Sequence, residues 1–401
     1  MRILFIADAL WPDHTSGISK SISNEISGIA NLGNSIVVVT RSLRHDAPFF
    51  ERLPNCTLYR YASPPIGSRL YRSYPVFSLG LLPRLLSRLN MVTPFDVVYV
   101  HNPFQAVGLQ MSNVRSPYVF AYHASACSEV RLDAERGKYG SATMAVGVAL
   151  STMRKLESRA LSRANAIIVH SRFMRKDLLS NYGPDLDSKV NVLPLCVDVD
   201  RYHPALDMAV TRRILGIPID RPTILTVRRL VARTGIENLL SAVALVRQQI
   251  PNVLLLVAGS GYLRQQLSDY ISGRGLDGNV ILLGHVPELD LPLYYQSADV
   301  FILPTVAYEG FGLSTIEALA SGTPVLATRV GATPELLEPL GADFLLPGQG
   351  AEHMAAGILR WLGRKGEVSV REKCRAYCVD HFAVDTVCSA LNGLLHEIAA
   401  T

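Results

Sequence analysis

Apolar residues fall into two series of short runs, separated by longer stretches with apolar positions at helical spacing. The first series is Arg2–Ala7, Ser35–Thr40, Asp96–His101, Tyr118–His123, Ala166–Ser171 and Lys189–Leu193. The second series is Thr223–Val227, Val253–Ala258, Asn279–Leu283, Val300–Pro304 and Pro324–Thr328. Because the runs are almost continuously apolar, they predict parallel strands that are buried on both faces. Their alternation with helical stretches predicts an α/β protein with two open, doubly wound parallel sheets.

The weakest periodicity falls between the two series and predicts a domain boundary there. Pro194–Pro204 shows no clear period, and Arg221-Pro222 precedes the second series, so we place a linker near 195–222. We predict an N-terminal domain of residues 1–200, a C-terminal domain of residues 201–375, and a terminal helix, 376–401, that packs back on the first domain. Ligands bind beyond the carboxyl ends of strands in such sheets, which predicts a site in a cleft that both domains face.

The composition excludes a disordered or fibrous chain, since 49% of the 401 residues are hydrophobic and 18% are charged. Asp8 and Pro12 interrupt the apolar start before a secretory signal could form. The longest uncharged run, Val97–Val114, is too polar to span a membrane. The six cysteines are scattered, which suits a reducing compartment. We therefore expect a cytoplasmic protein.

Charge is distributed unevenly along the chain. Residues 1–200 contain 22 Lys and Arg against 15 Asp and Glu, whereas residues 201–401 contain 17 against 19. A basic N-terminal half favours an anionic partner, either a phospholipid surface or a phosphorylated substrate. No nucleic-acid partner is expected, because the sequence has no dense Lys/Arg block and no recognisable nucleic-acid motif.

The strongest motif follows the predicted strand Val300–Pro304. Glu309 precedes a glycine-rich turn, a helix begins near Leu313, and Glu317 lies about one turn inside it. The start of a helix offers unpaired N–H groups and the positive end of its dipole, which suit a phosphate. A carboxylate can accept hydrogen bonds from vicinal sugar hydroxyls. The alternative is an ordinary strand–turn–helix with a glutamate on its solvated face.

A second motif follows the first strand of the second domain and contains Arg228, Arg229 and Arg233. Arginines in such a loop can neutralise a diphosphate, and each guanidinium can bind it bidentately. The alternative is that Arg229 and Arg233 line a solvated surface.

Two weaker signals lie in the first domain. Gly17 follows the first strand and stands where a helix begins, so a phosphate could approach the bare backbone. It could equally be a simple turn residue. His123 and His101 each end a strand, where an imidazole can reach a ligand, although a lone histidine is often structural.

These segments together resemble the retaining glycosyltransferases of family 4, which have the GT-B fold of two Rossmann-like domains. Glu309–Glu317 matches the family's E-x7-E motif, and Glu309-Gly310-Phe311-Gly312-Leu313 matches the residues that commonly begin this motif. Further resemblances are Asp96–His101, Ala298–Pro304 and Gly331–Glu335. Their order and spacing extend the resemblance over almost the whole chain.

The resemblance implies a role for individual residues around the donor sugar. Glu309 lies at the sugar, Glu317 holds the ribose hydroxyls of the nucleotide, and His123 bonds a sugar hydroxyl. The remaining matches are Gly17, Phe311, Gly312 and Leu313, whose backbone meets the sugar or the diphosphate. Ala124 replaces a more polar residue that is common in the family.

The arginine loop departs from the family pattern. Arg229 matches the family arginine, but Arg228 replaces a glycine and Thr234 stands at the usual lysine, so Arg233 is expected to supply the second cation. We therefore predict Arg229, Glu309 and His123 as catalytic residues. The predicted donor-binding residues are Gly17, Arg233, Phe311, Gly312, Leu313 and Glu317.

The function implied by the resemblance is that of a hexosyltransferase-type enzyme (EC 2.4 class). It would move a sugar from a nucleotide diphosphate sugar to an acceptor hydroxyl with retention of configuration. The acceptor would be a sugar or a lipid-linked molecule, in polysaccharide, glycolipid or glycoconjugate biosynthesis. The alternative is a nucleotide-sugar-binding protein, or a GT-B-type hydrolase or epimerase, without transfer.

No cofactor beyond the nucleotide sugar and no metal is expected. Asp185-Leu186-Asp187 and Asp198-Val199-Asp200 have D-x-D spacing, but neither follows a convincing strand with further ligands. Cys374, Cys378 and His381 share a helical face, which favours helix packing over metal binding.

Phe77–Val92 predicts a basic amphipathic helix, with leucines set against Arg84 and Arg88. It could lie on an anionic membrane and lead the enzyme to a lipid-linked acceptor, on the inner face of the membrane. It could equally cover the sheet of the first domain.

Overall fold

Two compact units make up the chain in the computed structural model, which describes residues 1–14, 16–123, 143–364 and 367–401, with backbone alone for Arg72 and 143–149. One unit is Met1–Leu195 with Val384–Thr401, and the other is Cys196–Ala383. The position of Ala124 falls outside the described residues.

The first unit is built on a sheet of eight described strands. They are β1 (Arg2–Ala7), β2 (Ser35–Arg41), β3 (Phe50–Leu53), β4 (Cys56–Tyr61), β5 (Val97–Val100), β6 (Tyr118–Tyr122), β7 (Ala166–Val169) and β8 (Val190–Val192). Their order is β3-β4-β2-β1-β5-β6-β7-β8, and every pair except β3–β4 is parallel. All six strands predicted for this part of the chain are confirmed.

The helices described in this unit are α1 (Gly17–Asn31), α2 (Tyr74–Gly80), α3 (Leu82–Val92), α4 (Pro103–Gln110), α5 (Thr143–Arg163), α6 (Arg172–Tyr182) and α15 (Val384–Ala399). Buried side chains at every second position of the strands form one hydrophobic core together with Leu82 and Leu86 of α3. The leucine face of α3 therefore covers the sheet, which leaves Arg84 and Arg88 exposed.

Strands β3 and β4 were not predicted from the sequence. Glu51, Arg52 and Arg60 interrupt their apolar pattern, and β3 pairs antiparallel at the edge of the sheet. A strand at an edge is not buried on both faces, and β4 beside it is only half-buried at Cys56, Thr57 and Tyr59, so neither strand gives the continuous apolar run by which the other strands were recognised.

The second unit has a sheet of five described strands that are all parallel, in the order β11-β10-β9-β12-β13. They are β9 (Thr223–Val227), β10 (Leu254–Ala258), β11 (Val280–Gly284), β12 (Val300–Leu303) and β13 (Val325–Ala327). Its described helices are α7 (Met208–Ile214), α8 (Ile236–Val246), α9 (Arg264–Gly273), α10 (Leu291–Ser297), α11 (Leu313–Ala320), α12 (Thr333–Leu337), α13 (Ala351–Gly363) and α14 (Val368–Phe382). The five predicted strands of this domain are confirmed.

The ends of the second unit differ from the predicted boundaries at 201 and 375. The unit begins at Cys196 and ends at Ala383, and α7 lies inside the segment predicted as a linker. The terminal segment is two helices, because Ala383 is extended and pairs with Val197 as an isolated parallel bridge. Arg375 of α14 reinforces this end by donating to the carbonyl oxygens of Tyr202 and Val199, at 2.7 and 2.9 Å.

The last helix, α15, packs against α1 within the first unit. A Cβ atom added to Gly28 would lie 2.5 Å from Cys388 Sγ, so only glycine permits this close approach. None of the described helices has both the length and the apolar character needed to cross a membrane.

Candidate active site

Glu309 lies in the loop after β12 and is held by two neighbours. Arg228, after β9, donates from Nη2 to Glu309 Oε2 at 2.6 Å, and Thr305 Oγ1 donates to the same oxygen at 3.0 Å. Burial by itself would raise the pKa of Glu309, but the charge and hydrogen bond of Arg228, with help from Arg233 and Thr305, lower it below its usual value. The carboxylate therefore stays charged at neutral pH.

Glycines let neighbouring loops approach the Arg228 segment closely. A Cβ atom on Gly259 would lie 1.8 Å from Arg228 O, and one on Gly261 would lie 2.2 Å from Leu230 O. Gly259 also has φ +134°, a conformation that other residues rarely adopt. Backbone hydrogen bonds from Arg228 to Ala258 and from Leu230 to Ser260 complete the contact. The segment that carries Arg228 is thus set by backbone packing.

The backbone of Glu309 is supported in the same way from the other side. A Cβ atom on Gly331, which has φ +61°, would lie 2.1 Å from Glu309 O. The residue before the glutamate, Tyr308, has φ +54°, and its carbonyl oxygen accepts from Arg233 Nη1 at 2.8 Å. A left-handed tyrosine costs of order 1 kcal/mol or more and persists only where its surroundings impose it. The loop is therefore strained and held in place beside the carboxylate.

The amino end of α11 is next to this carboxylate. Gly312, with φ +101°, is the N-cap residue, no side chain caps the helix there, and Leu313 is the first helical residue. A Cβ atom built on Gly312 would lie 3.8 Å from Glu309 Oε1. The side chain of Phe311 is buried against Phe382, with ring centroids 5.8 Å apart, so only its backbone is available at the turn. The first N–H groups of a helix lack intrahelical partners and favour an anion.

Arg229 and Arg233 take different positions in the loop after β9. The side chain of Arg229 is exposed, whereas Arg233 is half-buried and holds the Tyr308 carbonyl. Thr234, at the position where the sequence departs from the family lysine, is buried and donates to the carbonyl oxygens of Arg229 and Val231. Thr234 therefore stabilises the turn.

Glu317 lies inside α11 and is only 2% exposed. The hydroxyl of Tyr295, on α10, donates to Glu317 Oε2 at 2.7 Å. Burial, with the charge of Glu317 as the next cause, raises the pKa of Tyr295 well above its usual value, so the phenol remains a donor. The two glutamates of the motif are thus held by different partners on different elements.

In the first unit, the predicted His123 forms a chain with two other histidines. His123 Nε2 lies 3.0 Å from His101 Nδ1, and His123 Nδ1 lies 3.1 Å from His170 Nε2. The rings are stacked, at centroid distances of 5.3 and 5.0 Å. His170 Nδ1 lies 3.1 Å from the carbonyl oxygen of Leu193. Both nitrogens of His123 are therefore engaged by other imidazoles.

Gly17 is the first residue of α1 and is exposed. Ser16 caps the helix by accepting from the backbone N–H of Ser19 at 3.1 Å. The cap satisfies one of the N–H groups of the first turn and leaves others for a ligand.

The D-x-D pairs have local structural roles. Asp198 Oδ1 accepts from the backbone N–H groups of Asp200 and Arg201, at 3.1 and 3.0 Å. Both oxygens of Asp187 accept from Arg175, at 2.8 Å each. Within the described ranges, no group of three or more His, Cys, Asp or Glu side chains is arranged to hold a metal ion.

Three residues of these clusters were not predicted as functional from the sequence. Arg228 was predicted only as one of the arginines of the loop after β9, in place of a family glycine and not as the partner of Glu309, and neither Thr305 nor His170 was predicted as a site residue. His170 is the last residue but one of the predicted strand Ala166–Ser171, close to its end as His101 and His123 are to theirs, so a histidine near the end of three strands was the available signal.

Two family models match the chain. The model described as Glycosyltransferase Family 4 matches residues 15–201, and the model described as Glycosyl transferases group 1 matches residues 207–378. An uncharacterized glycosyltransferase of Methanocaldococcus jannaschii is 26% identical over 404 residues, which cover 96% of this chain and 97% of the relative.

Two further relatives are a mycobacterial enzyme and a solved structure. A GDP-mannose-dependent alpha-(1-6)-phosphatidylinositol monomannoside mannosyltransferase of Mycolicibacterium smegmatis is 33% identical over 179 residues, which cover 43% of this chain and 46% of the relative. The structure of sucrose-phosphate synthase from Thermosynechococcus elongatus superposes with a TM-score of 0.79 at 23% identity, covering 100% of this chain and 99% of the other. The structural likeness shows the GT-B fold.

Proposed function

Since this chain belongs to the family 4 glycosyltransferases, retaining enzymes that transfer a sugar from a nucleotide diphosphate sugar to an acceptor hydroxyl, we propose that its second unit binds the donor around Glu309. The observation that carries this proposal is the charged Glu309 beside the amino end of α11. The carboxylate accepts hydrogen bonds from sugar hydroxyls, and the helix end binds the diphosphate.

The diphosphate would be stabilised where negative charge develops. When the bond between sugar C1 and the phosphate oxygen breaks, the charge falls on the leaving group, facing the N–H groups of Gly312 and Leu313 and the guanidinium of Arg229. The acceptor oxygen attacks C1 on the same face, and its proton passes to an oxygen of the leaving phosphate. Glu309 holds the sugar throughout, so the step needs no protein nucleophile.

The ribose would be bound by Glu317. Tyr295 donates to one oxygen of this carboxylate and so fixes its orientation. A carboxylate fixed in this way can accept hydrogen bonds from the two ribose hydroxyls. Tyr295 would then be a positioning residue, acting on the nucleotide through Glu317.

We also propose that the first unit contacts an anionic membrane at the carboxyl end of α3. Leu82 and Leu86 pack into the core and cannot serve this purpose, but Met91 and Val92 at the end of α3 are 70% and 83% exposed. Arg84 and Arg88 are exposed on the same helix. An apolar tip with adjacent cations suits a surface of anionic lipid, where a lipid-linked acceptor would be found.

Vesicle flotation tests the membrane contact. Wild-type protein should float with vesicles that contain phosphatidylglycerol and remain unbound with phosphatidylcholine alone. Replacing Met91 and Val92 together by Ser should reduce flotation, whereas Met111→Ser, which changes another exposed methionine of the first unit, should not. Equal flotation of the double variant and wild type would contradict the proposal.

A donor screen tests the function itself. Melting temperature is measured with UDP-glucose, ADP-glucose and GDP-mannose, because a ligand that binds the folded state raises stability by mass action. The donor with the largest shift is then incubated with sugar and lipid-linked acceptors, and the anomeric configuration of the product is read by NMR. A new glycoside with the donor's configuration is expected. Free sugar, an isomerised donor or binding without turnover would favour the hydrolase, epimerase or binding-protein alternatives.

A further inference from the structure

The ring of Phe382, the last residue of α14, packs against the turn that precedes α11. It meets the ring of Phe311 edge-on, with centroids 5.8 Å apart and an angle of 80° between the planes. Both residues are only 6% exposed. Phe311 directly precedes the N-cap residue Gly312, so this contact lies immediately before the N–H groups that are proposed to bind the diphosphate.

Two further side chains of α14 hold the rest of α11. Cys378 Sγ donates to the carbonyl oxygen of Ile316 at 3.3 Å, and Arg375 Nη1 donates to that of Ala320 at 2.8 Å. Positions 375, 378 and 382 are three and four residues apart, so their side chains share one face of the helix. This face of α14 therefore contacts α11 from the residue before its N-cap to its last residue.

The end of α14 is also where the chain leaves the second unit. The unit begins at Cys196 and ends at Ala383. The backbone N–H of Val197 donates to Phe382 O at 2.8 Å, and Val197 pairs with Ala383 as a parallel bridge. Phe382 thus contacts the donor turn with its ring and the first residues of the unit with its carbonyl oxygen.

The conformation of the donor turn requires support from outside the turn. Tyr308 has φ +54°, and a left-handed residue other than glycine persists only where its surroundings impose it. Gly312 restricts the backbone little, and no side chain caps α11. The buried pair of Phe311 and Phe382 supplies part of the missing constraint, because edge-on aromatic pairs are favourable beyond the area that they bury.

We propose that Phe382 is a positioning residue of the donor site, which acts through Phe311 and fixes the first N–H groups of α11 toward the diphosphate. Its hydrogen bond with Val197 connects the same turn to the segment by which the chain enters the unit. A diphosphate bound at the turn therefore stabilises that hydrogen bond, because coupling between two sites is reciprocal. This inference rests on the proposed function for the identity of the ligand.

Nucleotide affinities test the positioning role. Dissociation constants of UDP, ADP and GDP, and of UMP, AMP and GMP, are measured by isothermal titration. For the base that binds, Phe382→Leu should raise the Kd of the diphosphate by about 2–10-fold, the worth of an aromatic pair. The Kd of the monophosphate should rise less, since one phosphate makes fewer contacts with the helix end. Equal losses for both nucleotides would overturn the inference, because general damage to the unit affects both alike.

The matched control is Phe344→Leu. Phe344 is 4% exposed, and its ring packs edge-on against Trp361 of the same unit, with centroids 4.9 Å apart. This variant should lower the melting temperature as Phe382→Leu does, but the ratio of the two dissociation constants should stay at the wild-type value. Phe382→Met replaces Phe382→Leu if the latter does not fold. Wild-type affinity for the diphosphate in a folded Phe382 variant would overturn the inference.

A double-mutant cycle assigns the effect to the contact between the two rings. If Phe382 acts through Phe311, the variant with both residues changed to Leu should bind the diphosphate about as weakly as the weaker single variant. Losses that multiply would overturn this route. Unfolding free energies of the same variants measure the ring contact without ligand. If no nucleotide bound, the proposed function would fail, while the ring contact would still be decided by unfolding.

Hydrogen exchange tests the connection to the entering segment. In the wild type saturated with the diphosphate, the Val197 amide should exchange more slowly than in the free protein. At equal saturation, the slowing should be smaller in Phe382→Leu and of wild-type size in Phe344→Leu. Mass spectrometry of the peptide that contains Val197 measures the three rates. No slowing in the wild type, or the same slowing in Phe382→Leu, would overturn the connection.

Discussion

Arg228 keeps Glu309 charged, and the pH dependence of kcat/KM tests this. Glu309 has a lowered pKa, so its charged form is present above the usual carboxyl range and is lost only as the pH falls. In Arg228→Ala the burial remains while the neighbouring cation is gone, so the pKa of Glu309 should rise. The acid limb of the kcat/KM profile should then move to higher pH.

The control for this prediction is Arg274→Ala, an exposed arginine at the end of α9. The acid limb of the kcat/KM profile of this variant should match that of the wild type. If Arg228→Ala lowered kcat/KM equally at every pH, Arg228 would act on binding geometry and not on the charge of Glu309.

Arg229 and Arg233 should differ in what they do for catalysis. Arg229→Ala should lower kcat by roughly 100-fold or more, because the proposed diphosphate site would lose an exposed guanidinium. Arg233→Ala should lower kcat less, and it should lower the melting temperature, since Arg233 also holds the Tyr308 carbonyl. Steady-state kinetics and melting curves check both. Near-wild-type kcat in Arg229→Ala would reject its assignment to the leaving group.

Among the elements, the loops after β9 and β10 depend on glycine for their contact. In Gly259→Ala the new methyl group would meet Arg228 O at 1.8 Å, at a φ of +134° that alanine resists. We expect a loss of ~1–3 kcal/mol in the free energy of unfolding and weaker donor binding, because the Arg228 segment must move.

The matched control is Gly273→Ala in α9, where an added Cβ meets nothing within 4 Å. This change should be neutral or stabilising by ~0.5–1 kcal/mol, as alanine suits a helix better than glycine. Denaturant unfolding compares the two variants. Equal stability of the two would show that the loops can separate without cost.

The contact between α1 and α15 contains a buried acid, Glu25. Burial raises its pKa from 4.5 to about 8, and the hydrogen bond from Ser21 only partly offsets this. Between these two pH values the folded chain holds a proton that the unfolded chain has released, so stability falls as the pH rises, by up to ~1.4 kcal/mol per pH unit. A glutamine has no such proton to release, so in Glu25→Gln the free energy of unfolding should fall less as the pH rises.

Unfolding free energies at pH 5 and pH 8 check this expectation. The difference between the two pH values should be smaller in Glu25→Gln than in wild type, and unchanged in Glu352→Gln, which alters an exposed glutamate of α13. The same pH dependence in wild type and Glu25→Gln would show that Glu25 is already charged in the folded protein.

For the whole molecule, we expect transfer without a divalent metal. The proposed diphosphate site combines the amino end of α11 with Arg229 of the loop after β9, and these fixed charges would do what a bound Mg²⁺ or Mn²⁺ does elsewhere. Protein dialysed free of metal should keep full activity in excess chelator. Activity that is abolished by chelator and restored by Mn²⁺ alone would contradict this and direct attention to Asp198 and Asp200.

The sequence alone determined the class of the fold and the family. Eleven strands were predicted because a strand buried on both faces must be continuously apolar, and that pattern is local. The E-x7-E motif was equally readable, since one strand, one turn and one helix bring Glu309 and the start of α11 together along the chain.

What lies far apart along the chain was decided only by the tertiary structure. Arg228 and Glu309 are 81 positions apart, and His101, His123 and His170 come from three separate strands. Strands β3 and β4 and the break at Ala383 likewise depend on pairing with distant segments. Hydrogen bonds and charge pairs between such segments leave no period in the sequence, because they are set by which strands become neighbours in the sheet.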